Sequence, residues 1–238
     1  MVCITEIQMG AEYRCVANLN LYGSEACQGL VTQALTGRQL RLIHKPKSPL
    51  AKAIQVCLCE DDYAGWLPAA SVAALALAPQ PYQPPTPTAQ TIAAALPAVM
   101  QFAYNATIPP NTYLWGGTVG PDFDCSGLVQ TAFASAGIRL PRDSYQQQDF
   151  TEPVAGGALQ PGDLLFFGAG DRTTHVALYV GQGNYLHSSG RDHGRNGVGI
   201  DSIVNLHDPI SYFYYRQLRG AGRVTRSYQP LGQPMPCR

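Results

Sequence analysis

The strongest constraint on this chain is the stretch 79–87, PQPYQPPTP, in which five of nine residues are proline. Each proline locks its φ at about −65° and lacks a backbone N–H, so the stretch supports neither a helix nor a central strand. It reads as a stiff, extended connector. Residues 79–89 are therefore the expected linker, between a unit of residues 1–78 and one of residues 90–238. A chain of 238 residues has room for two small domains or one large one.

The first unit offers short β-like runs at 12–21 (EYRCVANLNL), 39–43 (QLRLI), 53–58 (AIQVCL) and 64–67 (AGWL), separated by turn-prone Gly, Pro, Asn and Asp. Several short, punctuated strands predict a small β-barrel. The second unit differs. Residues 90–104 are Ala-rich and predict a helix with a kink or restart at Pro97. Residues 125–136 (CSGLVQTAFASA) predict a second helix that ends at Gly137 as C-cap. Its apolar Leu128, Val129, Ala132, Phe133 and Ala136 recur at helical spacing. Strands are expected at 164–167, 175–180, 184–187 and 212–218, and a loosely held tail from Ala221 onward. A helix packed on an antiparallel sheet gives an α+β class.

Lys plus Arg and Asp plus Glu both number 16, so the formal net charge is zero. That removes the basic excess expected of a nucleic-acid or anionic-membrane binder. No run approaches the roughly 18 apolar residues of a spanning helix. The first ten residues lack the basic start and apolar run of a secretory signal, and the expected location is the cytoplasm. A secreted protein already trimmed of its signal would read the same way. Seven cysteines, an odd number without a disulfide framework, are expected to be thiols, mostly packing residues.

Cys125 stands apart because it opens the predicted helix, with Asp124 before it as N-cap. The positive end of a helix dipole favours thiolate over thiol, the nucleophilic form. Asp124 opposes this, so a cationic partner is wanted. His175 and His187 lie at equal distance from Gly181, in the turn-like Gly181-Gln182-Gly183. A hairpin centred on Gly181 sets 175 opposite 187, 177 opposite 185 and 179 opposite 183. Both imidazoles then share one face, with Val176, Leu178 and Val180 turned to a core. His175 would take the thiol proton and His187 would hold its ring and tautomer. Unrelated surface histidines remain the plain alternative at this point. A zinc site is not expected: Cys57 and Cys59 have one residue between them, outside the usual ligand spacings. His44, His193 and His207 show no partner pattern.

The ordered strings YLWGG (113–117), DCSGL (124–128), LPRDS (140–144), PGDL (161–164), HVALYVG (175–181) and YLH (185–187) resemble the NlpC/P60 family of cysteine peptidases. The resemblance covers about residues 104–218. It implies a papain-like α+β domain that cleaves peptidoglycan peptides, with Cys125 as nucleophile, His175 as base and His187 as third polar residue. Tyr113 would line the site near the oxyanion, and the Cys125 N–H would donate to it. The first unit is similar to a bacterial SH3-like barrel, on Gly65-Trp66-Leu67. The pairing resembles γ-D-glutamyl-L-diamino acid endopeptidases that recycle murein peptides with a free N-terminal L-Ala. By that resemblance Asp124, Ser126, Ser144, Tyr63 and Glu25 would bind the peptide's ammonium group. A small murein peptide is the implied substrate, for instance one carrying meso-diaminopimelate. No cofactor, nucleic acid or membrane is implied, and the oligomeric state is left open. An amidase or acyltransferase on another amide, a secreted hydrolase of intact wall and a non-catalytic wall-binding protein are the rival readings.

Overall fold

The computed structural model describes residues 6–46, 48 and 50–235. Cys3, Cys237 and the side chain of His193 lie outside the described residues. The chain divides into two compact units, each described by itself. The first comprises Met1–Pro84, Trp115–Val119 and Gln229–Arg238, and the second Pro85–Leu114 with Gly120–Tyr228. The division is thus not linear in sequence, because two later segments belong with the first unit.

The first unit is an SH3-like domain built from β1 (Glu12–Cys15), β2 (Leu19–Tyr22), β3 (Leu30–Ala34), β4 (Gln39–Leu42), β5 (Ala53–Leu58), β6 (Ala64–Pro68) and β7 (Leu75–Leu77). They form one antiparallel sheet in the order β3-β2-β6-β5-β4-β1-β7. The run expected at 12–21 is two strands, with residues 16–18 between them. Alternate residues such as Tyr13, Cys15, Leu19, Leu21, Leu40 and Leu42 enter one core, the period of two expected of a half-buried strand.

The end of the chain corrects the expectation of a loose tail. Residues Leu218–Arg223 are a strand, and Val224 is buried. Further on, the Leu231 N–H donates to Asp62 Oδ2 at 2.5 Å. The Met235 N–H donates to the Asp62 carbonyl at 2.7 Å, and the Ala64 N–H to the Met235 carbonyl at 3.1 Å. Polar, Pro-containing composition says little about order when backbone groups supply the contacts.

The second unit begins with α1 (Ala89–Asn105), whose N-cap Thr88 accepts from the Thr91 N–H. It continues through Pro97 as one helix rather than restarting there. The short strand β9 (Asp122–Phe123) precedes α2 (Cys125–Ser135) and α3 (Ser144–Phe150), while β8 (Thr118–Val119) lies in a segment of the first unit. Then come β10 (Glu152–Val154), β11 (Leu164–Phe167), β12 (His175–Gly181), β13 (Asn184–Ser189), β14 (Gly197–Ser202), α4 (Pro209–Tyr215) and β15 (Leu218–Arg223). The six-stranded antiparallel sheet has the order β10-β15-β11-β12-β13-β14. Residues 212–218 are not the expected strand. Aromatic content suggests one, but Asp208 caps a helix there, accepting from the Ile210 and Ser211 N–H groups, with Pro209 in its first turn.

Each face of this sheet has its own core. Leu164, Phe166, Val176, Leu178 and Leu186 pack with Ile92, Val99 and Ala103 of α1 and with Leu128, Val129, Ala132 and Phe133 of α2. Leu165, Phe167, Ala177, Tyr179 and Tyr185 pack on the other face with Tyr214 of α4. Buried Asp163, from the PGDL string, accepts from Arg223 at 2.7 and 2.8 Å and joins the β11 start to β15. Among the described residues, no helix is long and apolar enough to cross a membrane.

Truncation after Tyr228 removes the amide donors to Asp62. We expect it to lower the unfolding midpoint of the first unit, by about 1–3 kcal/mol of stability. Thermal unfolding followed by calorimetry checks this; an unchanged profile would show the tail to be energetically idle.

Candidate active site

Position 125 is decided by the turn into α2. Asp124 has extended backbone and its carboxylate accepts from the Gly127 N–H at 2.6 Å, which caps the helix. The first intrahelical bond runs from the Leu128 N–H to the Asp124 carbonyl, so the N–H groups of Cys125 and Ser126 precede the helical ladder. Behind the cap lies Arg142, 1% exposed. It reaches Asp124 Oδ2 at 2.5 Å, Asp124 Oδ1 at 3.1 Å and Ser126 Oγ at 2.9 Å. Gln147 donates to the carbonyls of Ser126 (3.1 Å) and Pro141 (3.0 Å), and Gln130 to that of Leu140 (3.0 Å). The LPRDS string is thereby an anchor for the start of α2. Arg142 is visible in that string, yet only a structure shows that its partner is Asp124.

Both oxygens of Asp124 therefore have partners within the protein, a structural role that its reading as an ammonium ligand did not include. Ser126 is buried two residues along the chain from it, and Ser144 is buried at the α3 start. Glu25 and Tyr63 belong to the first unit. Exposed Glu25 lines a cleft of about 300 Å³ with His44, Lys45 and Trp66, and Tyr63, which is buried, is not among its lining residues.

Burial, followed by the Asp124 charge, pushes the Cys125 thiol up to about 12, against backbone hydrogen bonds from Val176 and Ser126 and the Arg142 charge. The same Val176 bond places the sulfur beside the first residues of β12. Tyr113 and Tyr214 both feel the Cys125 charge, and burial together with that charge raises each phenol.

His175 opens β12, paired with Phe167 of β11. The hairpin register differs from the one centred on Gly181: Leu178 faces Leu186 and Tyr179 faces Tyr185. That is a two-residue offset, with a register shift between Tyr179 and Gly181 just before the turn, in which Gln182 has φ +54°. Since side chains alternate with period two, an offset of two keeps both histidines on one face. They meet diagonally, His175 Nε2 to His187 Nδ1 at 2.8 Å. Phe167, Tyr185 and Tyr214 surround the rings, with Tyr214 4.5 Å from His175 and 4.8 Å from His187, centroid to centroid.

Sequence reasoning misses the next link. His187, fully buried, has Nε2 2.7 Å from Asp201 Oδ2 on β14. Asp201 is also held by Arg195, through Nε at 3.1 Å and through Nη2, and by Ser211 Oγ at 3.2 Å. Hydrogen bonds from His187 and Arg195 overcome burial and hold Asp201 well below the usual carboxylate range. No spacing rule points to Asp201, because its partners come from β13, a loop and α4.

With this geometry in view, comparison with known proteins is decisive for the second unit. A profile of the NlpC/P60 family matches residues 110–217, and one of the bacterial dipeptidyl-peptidase SH3 domain matches residues 21–72. The chain carries an NlpC/P60 domain. That domain is 46% identical over 117 residues to the bifunctional muramidase/DL-endopeptidase CwlT of Bacillus subtilis, covering 47% of this chain and 32% of CwlT. It is 42% identical over 91 residues to the probable endopeptidase p60 of Listeria monocytogenes, covering 38% of this chain and 18% of p60. The chain thus spans about a third or less of the curated relatives' lengths. Among solved structures, an NlpC/P60 family protein from Bacillus cereus aligns with 27% identity and a TM-score of 0.48, over 90% of this chain and 64% of that one.

Within the NlpC/P60 domain, Arg142→Met strands the Asp124 carboxylate in the interior. We expect a loss of about 3–5 kcal/mol, with part of it recovered in the Asp124→Asn/Arg142→Met double variant. Urea unfolding of the single and double variants checks this; equal losses in the two would deny the coupling.

Proposed function

We propose that this protein is a cysteine endopeptidase of peptidoglycan peptides, and that it cuts the bond between D-Glu, through its γ-carboxyl, and an L-configured diamino acid such as meso-diaminopimelate. The observation that carries the reading is the contact of 2.8 Å between His175 Nε2 and His187 Nδ1, next to the strand start that hydrogen-bonds the Cys125 sulfur. A binding module needs neither. The endopeptidase names of the relatives, and the D-to-L cleavage in the name of CwlT, support the bond class.

The chemistry follows from the positions. His175 uses Nε2 toward His187, which assigns its Nδ1 to the thiol. His175 takes the thiol proton, and the thiolate of the resulting imidazolium–thiolate pair attacks the D-Glu γ-carbonyl. The amide at the start of α2 stabilises the oxyanion. His175 then protonates the leaving amine of the diamino acid, and water hydrolyses the thioester with His175 again as base. Tyr113 lines the site on the substrate side. Ser126 and Ser144 are the hydroxyls nearest in sequence to the nucleophile helix and the LPRDS anchor, and we assign them to the peptide's N-terminal side. Short free murein peptides in the cytoplasm are the proposed substrate pool, on the resemblance to recycling endopeptidases.

L-Ala-γ-D-Glu-meso-diaminopimelate should be hydrolysed by the wild type, while Cys125→Ala and His175→Ala should lose at least about 10³-fold in kcat. The N-acetylated peptide and intact sacculi, assayed alongside, should be cut poorly. Cleavage of all three would retain the peptidase but turn it into a wall hydrolase; cleavage of none would sink the substrate assignment and favour an amidase or acyltransferase on another amide.

A further inference from the structure

The hydrogen bonds behind His187 have a direction, and that direction reaches the nucleophile. We propose that Asp201 is a positioning residue whose carboxylate, clamped by Arg195 and Ser211, dictates which ring nitrogen of His187, and through it of His175, carries the proton. The inference rests on the Cys125–His175 reading above, but not on any particular substrate.

An ionised carboxylate only accepts hydrogen bonds. Asp201 Oδ2, 2.7 Å from His187 Nε2, therefore requires a proton on that nitrogen. In a neutral His187 the other nitrogen, Nδ1, is then an acceptor. His175 Nε2 lies 2.8 Å from it, so the proton of that bond belongs to His175 Nε2. A neutral His175 protonated on Nε2 has its lone pair on Nδ1. That is the nitrogen assigned to the thiol, and a lone pair there makes it a base.

This proton order lasts only while His187 is neutral, and Arg195 serves that end. An imidazolium at His187 would donate from both nitrogens, reverse the bond to His175 and leave a proton on His175 Nδ1. The charge of Asp201 is already matched by Arg195, which contacts both of its oxygens. A proton on His187 would thus be an excess charge in a fully buried place. Burial and the Arg195 charge lower His187 against the pull of Asp201. The other titratable or charged groups around the pair are His175 on β12, Tyr185 on β13, and Asp208 and Tyr214 at and within α4. Asp208 lies 3.6 Å from Arg195 and shares its charge. Ser211, buried, steadies Asp201 Oδ1 from α4. Phe167, Tyr185 and Tyr214 pack around the rings, and the tautomer is what the hydrogen bonds set.

Histidine 15N–1H correlation spectra of the whole chain at neutral pH read the tautomers directly. Both His175 and His187 should be protonated on Nε2. In Asp201→Asn the amide can donate to His187 Nε2, and both rings should shift to the Nδ1–H form. Alkylation of Cys125 by iodoacetamide should then fall by about 10²–10⁴-fold, because amidating the carboxylate behind a catalytic histidine leaves the base in the wrong tautomer. Asp201→Glu should restore part of the rate. An Nδ1–H ring at either position in the wild type, or unchanged tautomers and alkylation in a folded Asp201→Asn, would overturn the proposal. Arg195→Gln provides a second test at a partly exposed site. Without the cation, His187 gains a proton at higher pH, so the acid limb of the alkylation profile should move upward; an unmoved limb would count against the proposal. None of these measurements uses a peptide. If the wild type fails to cut the murein tripeptide, the substrate assignment falls, while the tautomer proposal still stands or falls on the spectra alone.

Discussion

Strand β12 is hydrogen-bonded on both edges, to β11 and to β13, and its register is the constraint on which the site depends. Pairing Leu164 with Leu178 and Phe166 with Val176 directs Val176 and Leu178 into the core under α1 and α2. The same pairing leaves His175, Ala177 and Tyr179 on the opposite face, against α4. A slip of one residue would turn His175 toward α1 and α2 and Val176 and Leu178 toward α4, so the packing of both cores enforces the position of His175. The helix bearing Cys125 packs on the face that carries Val176, and its start meets the strand start through the Val176 backbone. Cys125 thus comes from the helix layer and His175 from the opposite sheet face, and the Val176 backbone at the start of that strand hydrogen-bonds the Cys125 sulfur.

The other half of the site depends on a single buried ion pair. Asp124 caps α2 through a carboxylate, and a carboxylate beside a thiol works against the thiolate. Arg142 resolves that conflict in part. It balances the charge, binds both oxygens of Asp124 and holds Ser126, while Gln130 and Gln147 tie its loop to the helix. The anchor therefore comes from the LPRDS string further along the chain rather than from the helix itself, and α2 begins at one residue only.

Much of this is legible in the sequence, for physical reasons that differ by region. The proline run, the period-two strands of the first unit and the helical spacing of Leu128, Val129, Ala132 and Phe133 are local signals, and the fold follows them. The two histidines fall on one face in both registers because parity survives an offset of two, even though the pairing shifts between Tyr179 and Gly181. The aromatic stretch 212–218 reads as a strand only when β-propensity is weighed over the Asp208-Pro209 helix start. The tail reads as loose because its order comes from backbone bonds to Asp62, which composition does not report. Asp201, Arg195 and Arg142 are out of reach for a deeper reason. Each acts through a partner that no local pattern marks, and no periodicity encodes such a pairing.

The charges around the nucleophile cancel in pairs. Asp124 is matched by Arg142 on the thiol side, and Asp201 by Arg195 behind the histidines. Each carboxylate flanking Cys125 and His187 thus has a guanidinium partner within the fold. In the proposed reaction, charge separates as the proton passes from sulfur to His175. The start of α2 stabilises the anion it leaves, and the oriented bonds through His187 to Asp201 stabilise the cation it creates. A site with one unpaired carboxylate at either end would bias that transfer before substrate arrived. With both carboxylates paired, the energy of the transfer is set by dipoles fixed in the fold, which act on the transition state without having to reorganise.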